Sequence, residues 1–402
     1  MTKNSTSKII QRTERWGAHN YKPLPVVLAR GKGVWVWDVD GRKYLDMLSS
    51  YSAVNQGHLH PSLVRTARKQ LGKLTLTSRA FYNDQLAIFF EKICKLTGMD
   101  KALPMNSGAE AVETAIKVAR KWGYLKKKVA ANRAEIIVCE HNFHGRTTTV
   151  ISFSTTAQYR TGFGPFTPGF VTIPYNDLVA LRNAINRNTV AFLVEPIQGE
   201  GGINIPDRGY LRRAFEICKR HKVLFIDDEI QTGLGRTGKL FSFEYEGIKP
   251  DVLIVGKALG GGIYPVSAIL ARADIMNVLQ PGDHGSTFGG NPLAAAIACT
   301  ALDVVVRERL PEHAAKLGDY FMRQLRKIRS DKIREVRGKG LLIGVEINPK
   351  YGKARKFCER FLELGMLTKE THDYVIRFAP PLVIKKPQID WALKRIRTVF
   401  EE

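Results

Sequence analysis

The feature that most limits the fold is a series of short apolar segments between residues 134 and 271 that alternate with amphipathic segments. Apolar strands of this kind indicate a sheet buried on both faces, and helical stretches such as 211–220 can serve as crossovers between them. The pattern predicts an α/β fold with a mainly parallel sheet and with functional residues at strand ends. The predicted strands are 136–139, 170–173, 190–194, 223–226, 252–255 and 266–270.

A different pattern begins after Pro292 and predicts a smaller α+β domain. It consists of a long helical stretch, a strand at 341–346, a helix, a strand at 375–378 and a final helix. Near the amino terminus, the strand-like segments 34–39 and 43–45 are expected to join this domain. The predicted division is 1–48 for the amino-terminal segment that joins the small domain, 49–292 for the large domain and 293–402 for the carboxy-terminal small domain.

The composition is that of a globular protein in a reducing compartment. Apolar residues make up 44% of the 402 residues and charged residues 25%, which indicates neither a disordered nor a fibrous chain. No apolar run reaches the length of a membrane span, and residues 1–11 lack the apolar segment of a secretory signal. The five cysteines are dispersed without CxxC spacing, so neither a disulfide framework nor a zinc site is expected. We therefore expect a cytoplasmic protein without a membrane partner or a metal.

The net charge of +24 is the one unusual bulk property. It raises nucleic acid or an acidic membrane surface as an alternative partner. Lysine and arginine are spread along the chain apart from short runs such as 126–128, and no recognisable nucleic-acid module accompanies them. The charge therefore favours small anionic ligands, such as phosphates and dicarboxylates, and no nucleic-acid partner is predicted.

Lys257 stands where the predicted strand 252–255 runs into the glycine cluster 260–262. Lysine is seldom buried, and burial lowers its pKa until the neutral amine can act as a nucleophile that forms an imine. A lysine that snorkels from a strand end has the same sequence context, so this signal alone is weak.

Three acids, Asp227, Asp228 and Glu229, end the strand that precedes this one in the chain. A carboxylate at a strand end can hold a proton on a pyridine nitrogen and so turn the ring into an electron sink. A helix cap and a divalent-metal site are the alternatives. Metal is less favoured because no histidine accompanies the acids and adjacent strand residues point to opposite faces.

A helix is predicted over 109–122, behind the sequence Asn106-Ser107-Gly108. The free N–H groups and the dipole of such a helix start favour a phosphate, although capping by Ser107 also explains the sequence. A lysine, a strand-end acid and an anion-binding helix start are together the three contacts that pyridoxal 5'-phosphate (PLP) requires.

From about Gly17 to Phe400, the chain resembles the class III (ω-) aminotransferases of fold type I. The resemblance implies a fold-type I PLP-transferase with a large mainly parallel-sheet domain and a smaller α+β domain. It also implies a homodimer with shared active sites. The motifs that carry it are GAHNY at 17–21, SSYSAVNQGH at 49–58, TSRAF at 77–81, VEPIQGE at 194–200, DEIQTG at 228–233, HGSTFGGNP at 284–292 and RFAPP at 377–381.

The same resemblance implies the cofactor contacts. Lys257 would carry PLP as a Schiff base and act as the catalytic base, and Asp228 would pair with the pyridine nitrogen. Phe143 would stack on the ring, and Gln231 would bond the ring hydroxyl. The phosphate ligands would be Gly108, Ala109 and, from the other subunit of a dimer, Ser286 and Thr287.

The resemblance further implies transfer of the δ-amino group of L-ornithine to 2-oxoglutarate in a ping-pong cycle, giving L-glutamate 5-semialdehyde and L-glutamate. This reaction belongs to proline and arginine metabolism. Tyr21 would receive the α-amine of ornithine, Arg146 would pair with its carboxylate, and Tyr51 would line the pocket. Arg377 would bind 2-oxoglutarate, and Glu200 would mask it while ornithine is bound. The alternatives are N-acetylornithine or 4-aminobutyrate as substrate, or a catalytically silent fold that binds anions or nucleic acid.

Two positions depart from the family pattern. His144 follows Phe143 where other members have Trp, so this wall of the pocket differs. Asp227 places a second acid before Asp228, where a small apolar residue is usual. Because adjacent strand residues point to opposite faces, Asp227 is expected to find a partner of its own on the far face of the strand.

Overall fold

The computed structural model describes residues 5–402 and contains three β-sheets. The central sheet has seven strands in the order β4-β10-β9-β8-β7-β5-β6, and two four-stranded sheets have the orders β1-β2-β3-β13 and β11-β12-β15-β14. The strands are β1 (Leu28–Lys32), β2 (Trp35–Asp38), β3 (Lys43–Asp46), β4 (Lys101–Met105), β5 (Glu135–Cys139), β6 (Phe170–Ile173), β7 (Thr189–Val194), β8 (Leu224–Asp228), β9 (Val252–Val255), β10 (Ser267–Ala271), β11 (Ile333–Lys339), β12 (Leu342–Ile347), β13 (Met366–Leu367), β14 (Lys369–Thr371) and β15 (Val375–Phe378).

Helices cover the sheets and include the predicted helix after Ser107. No helix among residues 5–402 is long and apolar enough to cross a membrane. The expectation about the first eleven residues falls partly on residues 1–4, which lie outside the described chain. The α-helices are Ser5–Trp16, Pro61–Leu71, Leu86–Thr97, Gly108–Trp122, Thr148–Ser152, Ala157–Arg160, Leu178–Ala184, Tyr210–Arg220, Ala273–Met276, Pro292–Arg307, Leu310–Leu325, Ala354–Glu363 and Lys386–Glu401.

The central sheet is mainly parallel, as predicted, with one strand that reverses direction. The neighbours β6, β5, β7, β8 and β9 pair in parallel, whereas β10 is antiparallel to both β9 and β4. All six predicted strands of this region are present within one or two residues of their predicted bounds. The connection from β9 to β10 holds only the 3-10 helix Lys257–Gly260, which is too short for the crossover that a parallel neighbour needs.

Burial of the sheet on both faces explains the continuous apolar strands. Phe225 and Leu253 pack into one core cluster, and Ile226 and Ile254 pack into the cluster on the other face. This alternation determines the direction in which the strand-end acids point. Asp227 lies on the same face as Phe225, and Asp228 lies on the same face as Ile226. The second face is the one covered by the helix Gly108–Trp122, whose apolar residues belong to the same cluster.

The amino-terminal strands pair with a strand from the carboxy-terminal part of the chain. Strand β3 runs parallel to β13, and β11, β12, β15 and β14 form their own antiparallel sheet. The helical stretch predicted after Pro292 is two helices, because Arg309 adopts a left-handed φ of 52° between them. The proposed domain bounds of 1–48, 49–292 and 293–402 remain a prediction.

Candidate active site

A cavity of about 190 Å³ surrounds Lys257 at the carboxyl ends of the parallel strands. Six of the eight residues predicted to bind the cofactor line it, whereas Ser286 and Thr287 do not. The lining residues are Gly108, Ala109, Phe143, His144, Gly145, Glu195, Ile197, Asp228, Ile230, Gln231, Thr232 and Lys257.

Lys257 follows strand β9 directly and begins the 3-10 helix Lys257–Gly260. Its φ of 44° is in the left-handed region, which a lysine adopts only when its surroundings require it. Burial lowers the pKa of Lys257, and the cation of Arg377 lowers it further, whereas the carboxylates of Glu200 and Asp228 raise it. The net direction is down, toward the neutral amine that imine chemistry requires.

Asp228 is held by a histidine that the sequence analysis treated only as a wall of the pocket. His144 Nδ1 lies 2.6 Å from Asp228 Oδ2, and both side chains are buried. Burial lowers the pKa of His144, but the hydrogen bond and charge of Asp228 outweigh it, together with the charge of Glu195, so the pKa is raised. This contact fixes the orientation of the Asp228 carboxyl group, which lines the cavity and can pair there with a ring nitrogen.

Glu195 is a second buried group that the sequence analysis missed. It follows strand β7, and its carboxylate accepts hydrogen bonds from the backbone N–H groups of Phe143, at 3.0 Å, and Gly199, at 3.3 Å. Burial raises its pKa to about 7, although the charge of His144 opposes this shift. Its position within the motif VEPIQGE was the only sequence signal for it.

The predicted phosphate site lies at the start of the helix Gly108–Trp122. Ser107 caps this helix, because its side chain accepts from the backbone N–H of Glu110 and the Glu110 carboxylate accepts from Ser107. The first N–H groups of a helix have no partner within it, so those of Gly108 and Ala109 can receive an anion. A Cβ on Gly108 would lie only 3.0 Å from Ile230, which explains the glycine at this position.

Ser286 and Thr287 lie beside the helix start of their own chain but outside its cavity. Ser286 Oγ accepts from Asn106 Nδ2 and from the backbone N–H of Gly289, both at 3.0 Å. Thr287 is exposed. Their role toward a phosphate stays a prediction.

Arg377, which is buried, and Glu200, which is half-buried, form a bidentate pair next to the cavity. Arg377 Nη1 is 2.5 Å from Glu200 Oε1, and Nη2 is 2.8 Å from Oε2. Gln231 joins the pair by donating to Glu200 Oε1 at 3.1 Å and accepting from Arg377 Nη1 at 3.2 Å. Burial raises the pKa of Glu200, but the charges of Arg377 and Lys257 outweigh it and lower the pKa to about 2. The pair is therefore fully ionised, and Arg377 is covered by its partner.

Tyr51 reaches the same pair from a left-handed turn, Ser49–Ser52, whose residues all have φ between 46° and 71°. Such a conformation costs roughly 1–2 kcal/mol for each residue that has a Cβ. Asp46 accepts from the backbone of Ser49 at 2.8 Å, and the buried Arg236 donates to Ser49 Oγ at 3.0 Å, which stabilises the turn. As a result, the Tyr51 ring lies 5.2 Å from the guanidinium of Arg377.

Tyr21 and Arg146 lie at the rim of the site rather than in the cavity. Tyr21 is 69% exposed. The pKa of Tyr51 is raised mainly by burial, and Tyr21 is near enough to add to this rise. The guanidinium of Arg146 stacks 4.0 Å from the centre of the Tyr159 ring and 5.9 Å from that of Phe143. Their roles toward a substrate stay predictions.

The partner expected for Asp227 is absent among the described residues. Both carboxyl oxygens of this buried side chain have no hydrogen-bond partner in residues 5–402, so the expectation was wrong. Phe225 and Leu253, which point to the same face as Asp227, belong to the apolar core. Burial raises the pKa of Asp227 well above its usual value, and the charges of Glu229 and Asp228 act in the same direction. The folded protein therefore favours the protonated, neutral form of Asp227.

We expect Asp227→Val to stabilise the protein, because an unsatisfied buried carboxyl costs about 1–3 kcal/mol. The native state keeps a proton on Asp227 that the unfolded chain loses above about pH 4, so this residue lowers stability increasingly as the pH rises. The free energy of unfolding, from chemical denaturation at several pH values, should be higher for the variant, and the difference should grow with pH. A variant that is less stable, or a difference that does not depend on pH, would contradict a neutral Asp227.

The fold and the cavity together define a class of protein, the PLP-dependent enzymes of fold type I, since the buried lysine, the buried aspartate and the helix start meet at one strand-end cavity of a mainly parallel sheet. Within that class, the chain belongs to the aminotransferase class III family, whose model matches residues 16–400. Members of this family depend on PLP.

Several individual proteins are similar to the chain over nearly its full length. A chain from Geobacillus sp. (strain WCH70) named ornithine aminotransferase is 56% identical over 397 residues, which is 99% of each chain. The solved ornithine aminotransferase of Toxoplasma gondii ME49 has a TM-score of 0.97 at 44% identity and covers 99% of this chain and 95% of its own. The acetylornithine aminotransferase of Elizabethkingia anophelis has a TM-score of 0.90 at 51% identity, with 98% and 99% covered.

Proposed function

We propose that the chain transfers the δ-amino group of L-ornithine to 2-oxoglutarate. The observation that carries the proposal is the bidentate Glu200–Arg377 pair beside Lys257, because opening or closing this pair would give one pocket two charge states. With the pair closed, the cation is neutralised and the pocket suits the uncharged side-chain carbons of an ω-amino acid. With Glu200 moved away, Arg377 presents a bidentate donor for the second carboxylate of 2-oxoglutarate.

The residues of the cavity fit PLP. Lys257 would hold the cofactor covalently, Asp228 would face the ring nitrogen, and the helix start at Gly108 and Ala109 would bind the phosphate. Phe143 lies on the cavity wall at a position from which it can stack on the ring. When bound, PLP supplies an aromatic ring that withdraws electrons from the substrate carbon bearing the transferred amine.

The protein groups supply positioning and proton transfer. Lys257, as a neutral amine, would take the proton from the substrate carbon and deliver it to the cofactor carbon within the same half-reaction, and the second half-reaction would run this transfer in reverse. Asp228, oriented by His144, would place its carboxylate at the ring nitrogen, where it would favour the protonated ring. Tyr21 and Arg146 would keep the α-amine and carboxylate of ornithine at the rim, so that only the δ-amine reaches the reacting centre.

We further propose a homodimer in which Ser286 and Thr287 complete the phosphate site of the other subunit. Apolar rings are exposed next to this segment in the single chain: Phe81 is 72% exposed, and Tyr82 is fully exposed. Asn83, which follows them, donates to the carbonyl of Gly290 at 3.2 Å, so these rings and the segment form one surface. In the proposed dimer, a second copy of the chain would bury this surface. Ser286 and Thr287 of each chain would then lie at the cavity of the other chain. The proposal includes a cytoplasmic location, in keeping with five free cysteines.

A panel of amino donors at saturating 2-oxoglutarate tests the substrate. We expect kcat/KM for L-ornithine to exceed that for N-acetylornithine and for 4-aminobutyrate by at least about tenfold, because Tyr21 gains a partner only from a charged α-amine. Tyr21→Phe should reduce this preference while leaving turnover of 4-aminobutyrate nearly unchanged. Faster turnover of N-acetylornithine than of ornithine would overturn the substrate assignment and leave the aminotransferase chemistry intact. A protein that binds no PLP and is inactive with every donor would instead favour a silent anion-binding fold.

A further inference from the structure

His284 lies outside the cavity, two residues before Ser286, and its ring contacts the helix Gly108–Trp122. Its Nδ1 is 2.9 Å from Lys117 Nζ, and its Nε2 is 2.8 Å from Thr114 Oγ1. Lys117 also donates to the carbonyl of Asp283 at 3.2 Å. One turn of the helix thus contacts both the backbone and the ring of the segment that carries Ser286 and Thr287.

The hydrogen bonds define the protonation state of this ring. A lysine ammonium can only donate, so Nδ1 of His284 must accept and carries no proton. The single ring proton is then on Nε2 and is donated to Thr114 Oγ1. The hydroxyl of Thr114 donates its own proton to the carbonyl of Glu110 at 2.7 Å, so every group in this chain of bonds has a compatible role.

The same network continues to the helix start. Glu110 accepts from the backbone N–H of Ser107 at 2.6 Å and from Asn106 Nδ2 at 3.2 Å. Asn106 Nδ2 also donates to Ser286 Oγ at 3.0 Å. The segment 284–286 is therefore bonded to the helix at two places, once through the histidine ring and once through the cap that shapes the phosphate site.

We propose that neutral His284 is a positioning residue that holds the segment 284–287 against the helix Gly108–Trp122 and thereby fixes Ser286 and Thr287 for binding the PLP phosphate. This inference rests on the proposed function and on the proposed dimer. His284 touches neither substrate nor cofactor, so its effect should appear in the affinity for PLP.

The charges around the His284 ring determine how its contact with Lys117 depends on pH. Burial lowers the pKa of His284, the cation of Lys117 lowers it further, and Glu110 raises it. Asp283, on the segment itself, is paired with Lys121 of the helix. An imidazolium at this position would repel Lys117 and could no longer accept its hydrogen bond. Because the pKa is depressed below its usual value of about 6.5, the neutral contact is intact above about pH 6.5 and is lost only as the pH falls through the lower pKa of the folded protein.

The test is a titration of the apoenzyme with PLP, followed by the visible absorbance of the bound cofactor, at about pH 8 and at steps down to about pH 5.5. Wild-type affinity should fall on the acid side. His284→Ala should bind PLP about tenfold more weakly at the higher pH. It should also lose the part of the acid dependence that exceeds the titration of the PLP phosphate itself. Lys117→Met, which removes the opposing cation but keeps the histidine, should show a smaller acid dependence than wild type.

His60→Ala is the matched control, because His60 also bonds a distant side chain, that of Glu308 just after the helix Pro292–Arg307, at 2.9 Å, and is not part of the network at the start of the helix Gly108–Trp122. It should keep wild-type affinity and pH dependence. Wild-type affinity and acid dependence in His284→Ala would overturn this inference while leaving the proposed function standing. A wild-type protein that binds no PLP at any pH would overturn the proposed function instead.

Discussion

Lys257→Ala should lower kcat by at least about 10²–10⁴-fold, the usual contribution of a positioned general base, and should also abolish covalent retention of PLP. The expectation follows from the position of Lys257 at the end of β9, inside the cavity, with a depressed pKa. The measurement is steady-state turnover, together with borohydride reduction of the holoenzyme and peptide mass analysis. The cofactor mass should be found on the Lys257 peptide of the wild-type protein.

Lys249→Ala is the matched control, since Lys249 is an exposed lysine that donates to the carbonyl of Gly98 and has no contact with the cavity. This variant should keep both activity and the reducible cofactor. If Lys257→Ala retained turnover, or if borohydride fixed the cofactor on another lysine, the chemistry would not depend on Lys257.

Arg377→Met should impair one half-reaction far more than the other. Two charge-assisted hydrogen bonds to the second carboxylate of 2-oxoglutarate would be lost, and at about 1.5 kcal/mol or more each this amounts to at least about 10²-fold in kcat/KM for that substrate. The half-reaction with ornithine should fall much less, because Glu200 already neutralises Arg377 there. Single-turnover spectra of the cofactor measure each half-reaction separately.

Two further variants distinguish a specific loss of substrate binding from misfolding of the Arg377→Met protein. Arg377→Lys keeps a cation but not the bidentate geometry, so it should show the same selective loss at a smaller size. Glu200→Gln removes the mask and should increase the rate with L-glutamate relative to L-ornithine. Equal losses in both half-reactions for every variant would contradict a gate formed by Glu200 and Arg377.

Local patterns in the sequence predicted the elements that local chemistry determines. The apolar strands of the central sheet and the cap at Ser107 were correct because periodicity and capping act over a few residues. The opposite faces of Asp227 and Asp228 followed from the two-residue repeat of a strand. Six of the twelve residues that line the cavity were predicted, from the strand-end lysine and acid, the helix start and the family motifs, whereas Glu195 was missed.

The features that escaped prediction depend on contacts between distant parts of the chain. The left-handed turn at Ser49–Ser52 is stabilised partly by Arg236, which lies 187 residues from Ser49. His144 and Asp228 are 84 residues apart in the sequence, and no local pattern near either residue predicts the hydrogen bond between them. Asp227 was expected to find a partner, yet the core on its side of β8 offers none. In each case the tertiary environment, rather than the local sequence, determines the conformation or the charge state.

Isotope transfer from ornithine tests the central claim most directly. The enzyme would be incubated with 2-oxoglutarate and L-ornithine carrying ¹⁵N at the δ position, in parallel with L-ornithine labelled at the α position, and the glutamate formed would be analysed by mass. Selective binding of the α-amine and carboxylate at the rim predicts labelled glutamate from the δ-labelled donor and unlabelled glutamate from the α-labelled one. Label arriving from the α position, or no labelled glutamate from either donor, would contradict the proposed δ-transfer.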